Sequence, residues 1–457
     1  MSTLSLGTPC DDAAVLYALS GLPPTDLPSP DERERVWVAL HEQWLEARRT
    51  AASPPVSTEP GILDGVHEVF RTWLGKGYDR DMLDVVLAAA LGRWMRGDPL
   101  WLMIVGGSGD AKTETIRTLA AVGAFVVGAI SSEGALLNGL GKKDKDEDGT
   151  GGLLREIGSE GILVIQDATS LISKSRDARS GVMGAFREIY DGHWERPVGG
   201  GGGRREVWNG RLITIAAITT VWDTADREVR AAMGDRFPVI RLGDDSEERR
   251  REVGRSAAAA SGHEDQMRLE LSMAVKLLFE RVPTGPDGKV RLIPISDEEQ
   301  ERLLNVASLV TRCRTGVDYN YHGSAVIHAH TPELPTRFLK QLIQVFRALL
   351  ALGRSRHDAM EVTLRVAGDS MPPARLKVLK DVAKHGPSSV SKVRKRLGLS
   401  EMLVKRELDA LHNLGALHQD SEEAWSGGKY QKATYRLAPC AEGNELLPAA
   451  SPKAKES

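Results

Sequence analysis

A chain of 457 residues, 41% hydrophobic and 27% charged, is long enough for two or three domains and has the composition of a soluble globular protein. A net charge of −3 conceals a basic C-terminal region. Three scattered cysteines, Cys10, Cys313 and Cys440, exclude a disulfide framework and a CxxC metal knuckle, and suit a reducing cytoplasm. No apolar run reaches the roughly 18 residues that span a bilayer, and no basic segment followed by an apolar core marks a signal peptide. The expected location is cytoplasmic, away from membranes.

Residues 1–60 are rich in Pro and Ser, with one helical stretch over 30–50 that carries Val36, Val38, Leu40 and Trp44. Ala51-Ala52-Ser53-Pro54-Pro55 reads as a linker. Residues 61–96 form a helical lead-in. One amphipathic helix carries Val66, Val69, Phe70, Trp73 and Leu74; the next carries Met82, Val85, Leu87, Ala88, Leu91 and Trp94. Strands predicted at 100–105, 124–129, 161–165, 212–218 and 239–242 then alternate with helices, which implies a parallel sheet covered by helices over 97–245. Helices dominate 246–366, interrupted by a loop or β-insert at 282–294.

The first strand runs into Gly106-Gly107-Ser108-Gly109-Asp110-Ala111-Lys112-Thr113, followed by Glu114 and a helix start. Strand, glycine-rich turn, Lys-Thr and helix is the layout of a phosphate-binding P-loop. Its backbone N–H groups face an anion, Lys112 reaches the β/γ-phosphates of ATP, and Thr113 holds Mg²⁺. Ala111 stands where such loops usually place their second glycine. Its methyl group fits if the local φ is negative, and it crowds the phosphates.

The strand at 161–165 ends in Gln166-Asp167. This is the Walker B position, where an Asp helps hold Mg²⁺ and a following Glu polarises the attacking water. Gln166 can accept from a metal-bound water. Asp167 is one methylene shorter than Glu, so slow turnover is expected. The strand at 212–218 ends in Thr219, a side chain able to orient water between the two Walker strands. Arg236, before Phe237, is a surface residue in isolation; in an oligomer it would reach the neighbouring γ-phosphate. Arg227 and Arg230 are rival candidates.

Two inserts are placed to touch DNA. The charged loop over 141–149 reads equally as a solvated loop. Trp194-Glu195-Arg196-Pro197-Val198 and Arg204-Arg205-Glu206-Val207-Trp208 flank five glycines and read as a hairpin with Arg196, Arg204 and Arg205 on it. It is either a surface hairpin or a pore element tracking single-stranded DNA.

Residues 371–440 carry an excess of positive charge, with thirteen Lys and Arg against seven Asp and Glu over 371–439. Three helices, at 373–385, 388–397 and 400–414, precede strands at 416–418 and 434–437 that flank a glycine turn. The pattern is that of a winged helix-turn-helix. Ser400, Lys405 and Arg406 would enter a duplex groove, Lys429 and Lys432 would lie on the wing, and Lys392, Arg394, Lys395 and Arg396 would contact phosphates. Protein contact alone is the other reading. The tail over 441–457 is polar and expected to be disordered.

The order of these parts over about 97–366 resembles the AAA+ ATPases, and within them the minichromosome-maintenance type of replicative helicase. Ser131-Ser132-Glu133-Gly134-Ala135-Leu136-Leu137-Asn138-Gly139-Leu140 resembles the segment after that family's second strand. Gly151-Gly152-Leu153-Leu154-Arg155-Glu156-Ile157-Gly158 resembles the end of its helix-2 insert. Gly181-Val182-Met183-Gly184-Ala185-Phe186-Arg187-Glu188-Ile189-Tyr190-Asp191-Gly192 resembles the helix before its pre-sensor hairpin. Gly234-Asp235-Arg236-Phe237 is similar to its arginine finger, and Pro335-Thr336-Arg337-Phe338 to its sensor-2 helix. The resemblance implies an α/β fold: a P-loop AAA+ module, a helical lid over 246–366 and a C-terminal winged helix. It further implies ATP and Mg²⁺ as cofactors, Arg337 on the γ-phosphate, a homo-oligomeric hexameric ring, DNA and replication proteins as partners, and helicase activity. The sequence departs from that pattern at Ala111, Gln166-Asp167 and Thr219, and shows no zinc-binding N-terminal domain. Three functions stay open: a DNA-associated motor, a helicase loader or transcription regulator of the same superfamily, and a DNA-binding protein that keeps a nucleotide site without hydrolysis.

Overall fold

The computed structural model describes residues 58–59, 61–107, 109, 111–130, 132–137, 152–197, 205–224, 236–243, 246–321, 325–420, 424–426, 429–431 and 433–449. The helical stretch over 30–50, the charged loop over 141–149, Ser108, Asp110, Arg204, Arg227, Arg230 and Lys432 lie outside the described residues.

Two helices lead in, α1 (Ile62–Leu74) and α2 (Arg80–Leu91). Asp79 caps α2 by accepting from the Met82 N–H, as N-cap aspartates do. Strand β1 (Leu102–Val105), α3 (Lys112–Arg117), β2 (Ala124–Val127), α4 (Gly134–Leu137), α5 (Leu153–Ile157) and β3 (Glu160–Ile165) follow. After α6 (Thr169–Ile172) and α7 (Arg176–Tyr190) comes the hairpin of β4 (His193–Pro197) and β5 (Arg205–Asn209). Then come β6 (Arg211–Ile218), α8 (Val221–Thr224) and β7 (Val239–Arg241).

Five strands form one sheet in the order β2-β3-β6-β1-β7, and every pairing in it is parallel. Strand β6 therefore separates the P-loop strand from the strand ending in Gln166-Asp167. Its register puts Ile218 opposite Val105 and Ala216 opposite Ile165. The strands are near-continuous apolar runs because side chains on both faces are covered. On one face Trp101, Met103, Val105, Leu163, Ile165 and Ala216 join a core with Leu136, Leu154, Phe186 and Ile189 of the helices. Trp101 is its hub, with Phe237, Tyr190 and Phe186 rings at 5.0, 5.1 and 5.5 Å and its indole N–H on Leu212 O at 2.6 Å. The alternate residues, including Leu102, Ile104 and Ile213, are also buried, on the face that receives α2.

The helical region continues with α9 (Glu247–Ala260), α10 (Glu264–Arg281), α11 (Asp297–Arg314), the hairpin of β8 (Val317–Tyr319) and β9 (Val326–Ala329), α12 (Thr336–Ala351) and α13 (Arg356–Asp369). Helix α11 opens with a full capping box between Ser296 and Glu299. The expected insert at 282–294 contributes a single bridge, Thr284 to Val290. The β8–β9 hairpin was not expected.

The last part comprises α14 (Pro373–His385), β10 (Ser388–Ser389), α15 (Val390–Leu397), α16 (Glu401–Asn413), β11 (Leu417–Gln419), β12 (Ala424–Ser426), β13 (Lys429–Gln431) and β14 (Thr434–Leu437). Strands β10, β14 and β11 make an antiparallel sheet, and β12 pairs with β13. Buried Arg375 ties this part to α11, reaching Glu407 at 3.0 Å and Cys313 O at 2.7 Å. The tail departs from expectation over 441–449. There Glu445 forms a two-pronged pair with Arg302 at 2.6 and 2.8 Å, and Ala441 and Leu446 are buried. No helix among the described residues is long and apolar enough to cross a membrane.

Candidate functional site

The turn after β1 places Gly106, Gly107, Gly109 and Ala111 around Lys112. Gly109 has φ +87° and Ala111 φ +55°. Ala111 is the one non-glycine residue with positive φ among those described, so the condition under which its methyl group fits without strain is not met. The turn imposes the left-handed conformation, at about 1–2 kcal/mol for a residue with a Cβ. Lys112 is buried, and its ammonium donates to Gly106 O at 2.8 Å and also to Gly107 O. These bonds hold the cation inside the loop. Thr113 is exposed one residue on.

Two contacts fix the helix behind the loop. The Thr115 hydroxyl bonds Ala111 O at 2.9 Å and the Tyr78 hydroxyl at 2.8 Å. Burial pushes the Tyr78 phenol well above its ordinary range, so it stays neutral. Glu114 receives two bonds from Arg268 of α10, both at 3.1 Å. That pair commits Glu114 to the helical region instead of a nucleotide. Tyr78 also lines a cleft of about 1120 Å³ with Leu242, Gly243 and Arg249. Sequence reading missed Tyr78, because its partner is 37 positions away.

Gln166, half-buried, and Asp167, exposed, leave the tip of β3 beside the P-loop strand's neighbour β6. An Asp167 carboxylate oxygen accepts from the Thr169 N–H at 2.8 Å, a local turn that fixes the side chain. Thr169 in turn meets Thr219 at the tip of β6, hydroxyl to hydroxyl at 3.4 Å. Gln166, Asp167, Thr219 and Lys112 thus share the carboxyl-terminal edge of the sheet.

Arg236 and Arg337 lie at the opposite edge. Arg236 precedes Val239 by three residues, Val239 pairs with Met103, and Gly106 follows Met103 by three. At about 3.3 Å per residue, Arg236 and the P-loop are on the order of 20 Å apart. Arg236 sits over the Tyr190 ring, 5.5 Å to its centre, with Asp191 at 3.5 Å. Burial lowers its pKa, and the charge of Arg337 lowers it further. Arg337 is half-exposed and 3.7 Å from Glu333. With Tyr190, Arg211 and Lys340 it lines an open cleft of about 690 Å³. The Gln341 amide, one turn along α12 from Arg337, donates to Arg236 O at 2.7 Å.

Among the DNA-contact candidates, Lys392, Lys395 and Lys405 are exposed. Arg394, Arg396, Arg406 and Ser400 have partners within the chain. Arg396 binds Asp381 through both carboxylate oxygens, at 2.9 and 3.1 Å from Nε. Arg394 meets Glu401 at 3.2 Å, Arg406 covers the Tyr319 ring at 5.1 Å, and Ser400 caps α16. Lys429 is placed in β13. On the β4–β5 hairpin, exposed Arg205 is 3.3 Å from Glu195 and Arg196 is 3.7 Å from Glu133. Trp194 and Trp208, facing each other across that hairpin, are buried in the core and anchor its base.

No family model matches the chain, and no curated protein matches it. Among solved structures the chain is similar to a "putative ATPase" from Cytophaga hutchinsonii, with a TM-score of 0.38 and 13% identity over 68% of this chain and 86% of that one. A likeness this loose says nothing of activity. What stands is the geometry: a mixed α/β protein whose five-stranded parallel sheet carries a glycine-containing turn after β1.

Proposed function

We propose that the chain is an oligomeric, DNA-associated ATPase of the AAA+ type, with a site composed between copies. One observation carries the reading: Arg337 lines a cleft at the amino edge of the sheet, Arg236 lies beside it over the Tyr190 ring, and the strand rise puts Arg236 on the order of 20 Å from its own P-loop. At that distance they serve a nucleotide only if it belongs to a neighbour, where arginines stabilise charge developing on a transferring phosphoryl group. The loop's own residues fit ATP. Lys112 turns from two backbone carbonyls to the β/γ-phosphates, and Asp167 holds the attacking water with Thr219 beside it. Thr113, with Asp167, would hold Mg²⁺, which supplies neutralisation of phosphate charge. Turnover that rises with protein concentration, and falls when subunits carrying Arg236→Ala are mixed in, tests the reading. Turnover independent of concentration would end it.

The DNA association rests on the C-terminal part, read as a winged helix, whose exposed Lys392, Lys395 and Lys405 offer a duplex-capable surface. The hairpin arginines are read as a contact to single strands inside a hexameric ring. Strand displacement distinguishes a motor from a loader or regulator, and ATP turnover distinguishes both from a non-hydrolysing DNA-binding protein. Fluorescence anisotropy at several salt concentrations checks the DNA contact. Each lysine removed is expected to lower the salt slope by about one.

A further inference from the structure

We propose that Gln341 is a positioning residue that fastens Arg236 to the helix carrying Arg337, so that the two arginines move onto a neighbour's nucleotide as one unit. The inference rests on the composite-site reading above. Arg337 and Gln341 are four residues apart on α12 (Thr336–Ala351), and so share a face. Arg236 belongs to a different element, the segment entering β7. Between them Gln341 is the direct link: it is 2% exposed, and its amide nitrogen meets Arg236 O at 2.7 Å and the Tyr190 hydroxyl at 3.4 Å.

The chemistry gives that link a purpose. Arg236 and Arg337 have the same charge, and each disfavours the other when no anion lies between them. Each makes a long ion pair, Arg236 with Asp191 at 3.5 Å and Arg337 with Glu333 at 3.7 Å. The Tyr190 ring supports the Arg236 guanidinium from one side. The Gln341 bond fixes the backbone from which that guanidinium projects. Gln341 Oε1 and Arg236 Nε are among the buried atoms that lack partners in the described residues. Buried polar atoms are seldom left so, and both are free to change partners when the guanidinium advances. A lid helix that shifts with nucleotide would then carry Arg337 directly and Arg236 through Gln341.

The experiment compares Gln341→Met, which keeps volume and removes the donor, with Gln341→Glu, which keeps shape and places an acceptor against Arg236 O. Assembly is followed by sedimentation, ATP affinity by calorimetry, and kcat and KM separately. Both variants are expected to assemble and bind ATP within twofold of the parent while kcat falls about tenfold or more, since small displacements of catalytic groups have effects of this size. In the parent, the losses from Arg236→Ala and Arg337→Ala should be non-additive; in the Gln341→Met background they should become additive. Parent-level kcat in either Gln341 variant, with Arg236→Ala inactive, overturns the positioning role and leaves the composite site standing. Parent-level kcat in Arg236→Ala removes the composite site and this inference with it. Failure of both Gln341 variants to assemble also overturns it, because Gln341 would then be a folding residue.

Discussion

The two edges of the central sheet differ in chemistry. At the carboxyl edge lie a glycine-rich turn, one buried lysine and a polar pair, Asp167 and Thr219, linked through Thr169. At the amino edge Arg337, Arg211 and Lys340 line an open cleft with Tyr190, and Arg236 lies over the Tyr190 ring. The first edge has the parts to grip a nucleotide. The second sets Arg211, Arg337 and Lys340 beside Asp98, Asp191 and Glu333. Burial lowers the pKa of both Arg211 and Arg236. Under the proposed reading each edge is half a site, and a copy facing a copy completes it.

The largest effect should come from the amino edge. Arg236→Ala is expected to reduce turnover about 10³-fold while ATP affinity is kept, the size of effect seen when an arginine finger is lost. Mixed with Lys112→Ala subunits, it should lose activity in proportion to broken interfaces, read by phosphate release across mixing ratios. Simple dilution of independent monomers would break the comparison. Next, Asp167→Asn should retain ATP and lose about 10²- to 10⁴-fold in turnover, the range for removal of a general base. The Asn oxygen can still accept from the Thr169 N–H, so the local turn survives. Parent-rate phosphate release from this variant would move the base elsewhere.

The sheet was legible because its strands are continuous apolar runs, as parallel strands buried on both faces must be. Glu160–Ile165 and Arg211–Ile218 were read within one residue at each end. The three C-terminal helices were legible from period and punctuation: α14 matches 373–385, and Gly386 and Gly398 each end a helix with positive φ. The β8–β9 hairpin was not, because its strands are three and four residues long and partly exposed, leaving little alternation to read. Residues 441–449 were read as tail from their polarity, yet a bidentate ion pair and the Asn444 amide hold them to α11, and Ala441 and Leu446 are buried. In the site, Lys112 and Asp167 were readable from spacing. Tyr78, Tyr190 and Gln341 were not, since each acts through a partner distant in sequence. Nor could sequence show that Arg396 is spent on Asp381.

A smaller effect sharpens the carboxyl edge. Lys112→Ala should weaken ATP binding about 100-fold, equivalent to about 2.7 kcal/mol, the scale of a charge-assisted hydrogen bond. Calorimetry decides it, and unchanged affinity would mean that the loop does not bind nucleotide. The folded loop should persist in the variant, since Thr115 still bonds Ala111 O and Tyr78.

The smallest effect concerns Ala111, whose backbone takes the left-handed conformation. Its φ of +55° costs about 1–2 kcal/mol for a side chain with a Cβ, and glycine would remove that strain. Glycine also loosens the unfolded chain, which takes back about 0.4–1 kcal/mol. The balance favours Ala111→Gly by about 0.5–1 kcal/mol in stability, read as a small rise in the denaturant midpoint. Removing the methyl group also clears space beside the phosphates, so ATP affinity should rise a few-fold in calorimetry. The two readouts separate strain from crowding. A higher midpoint with unchanged affinity assigns the methyl group to strain alone. Lower stability with unchanged affinity would mean that the left-handed turn is enforced by contacts stronger than the preference it overrides, and that Ala111 suits this loop as it stands.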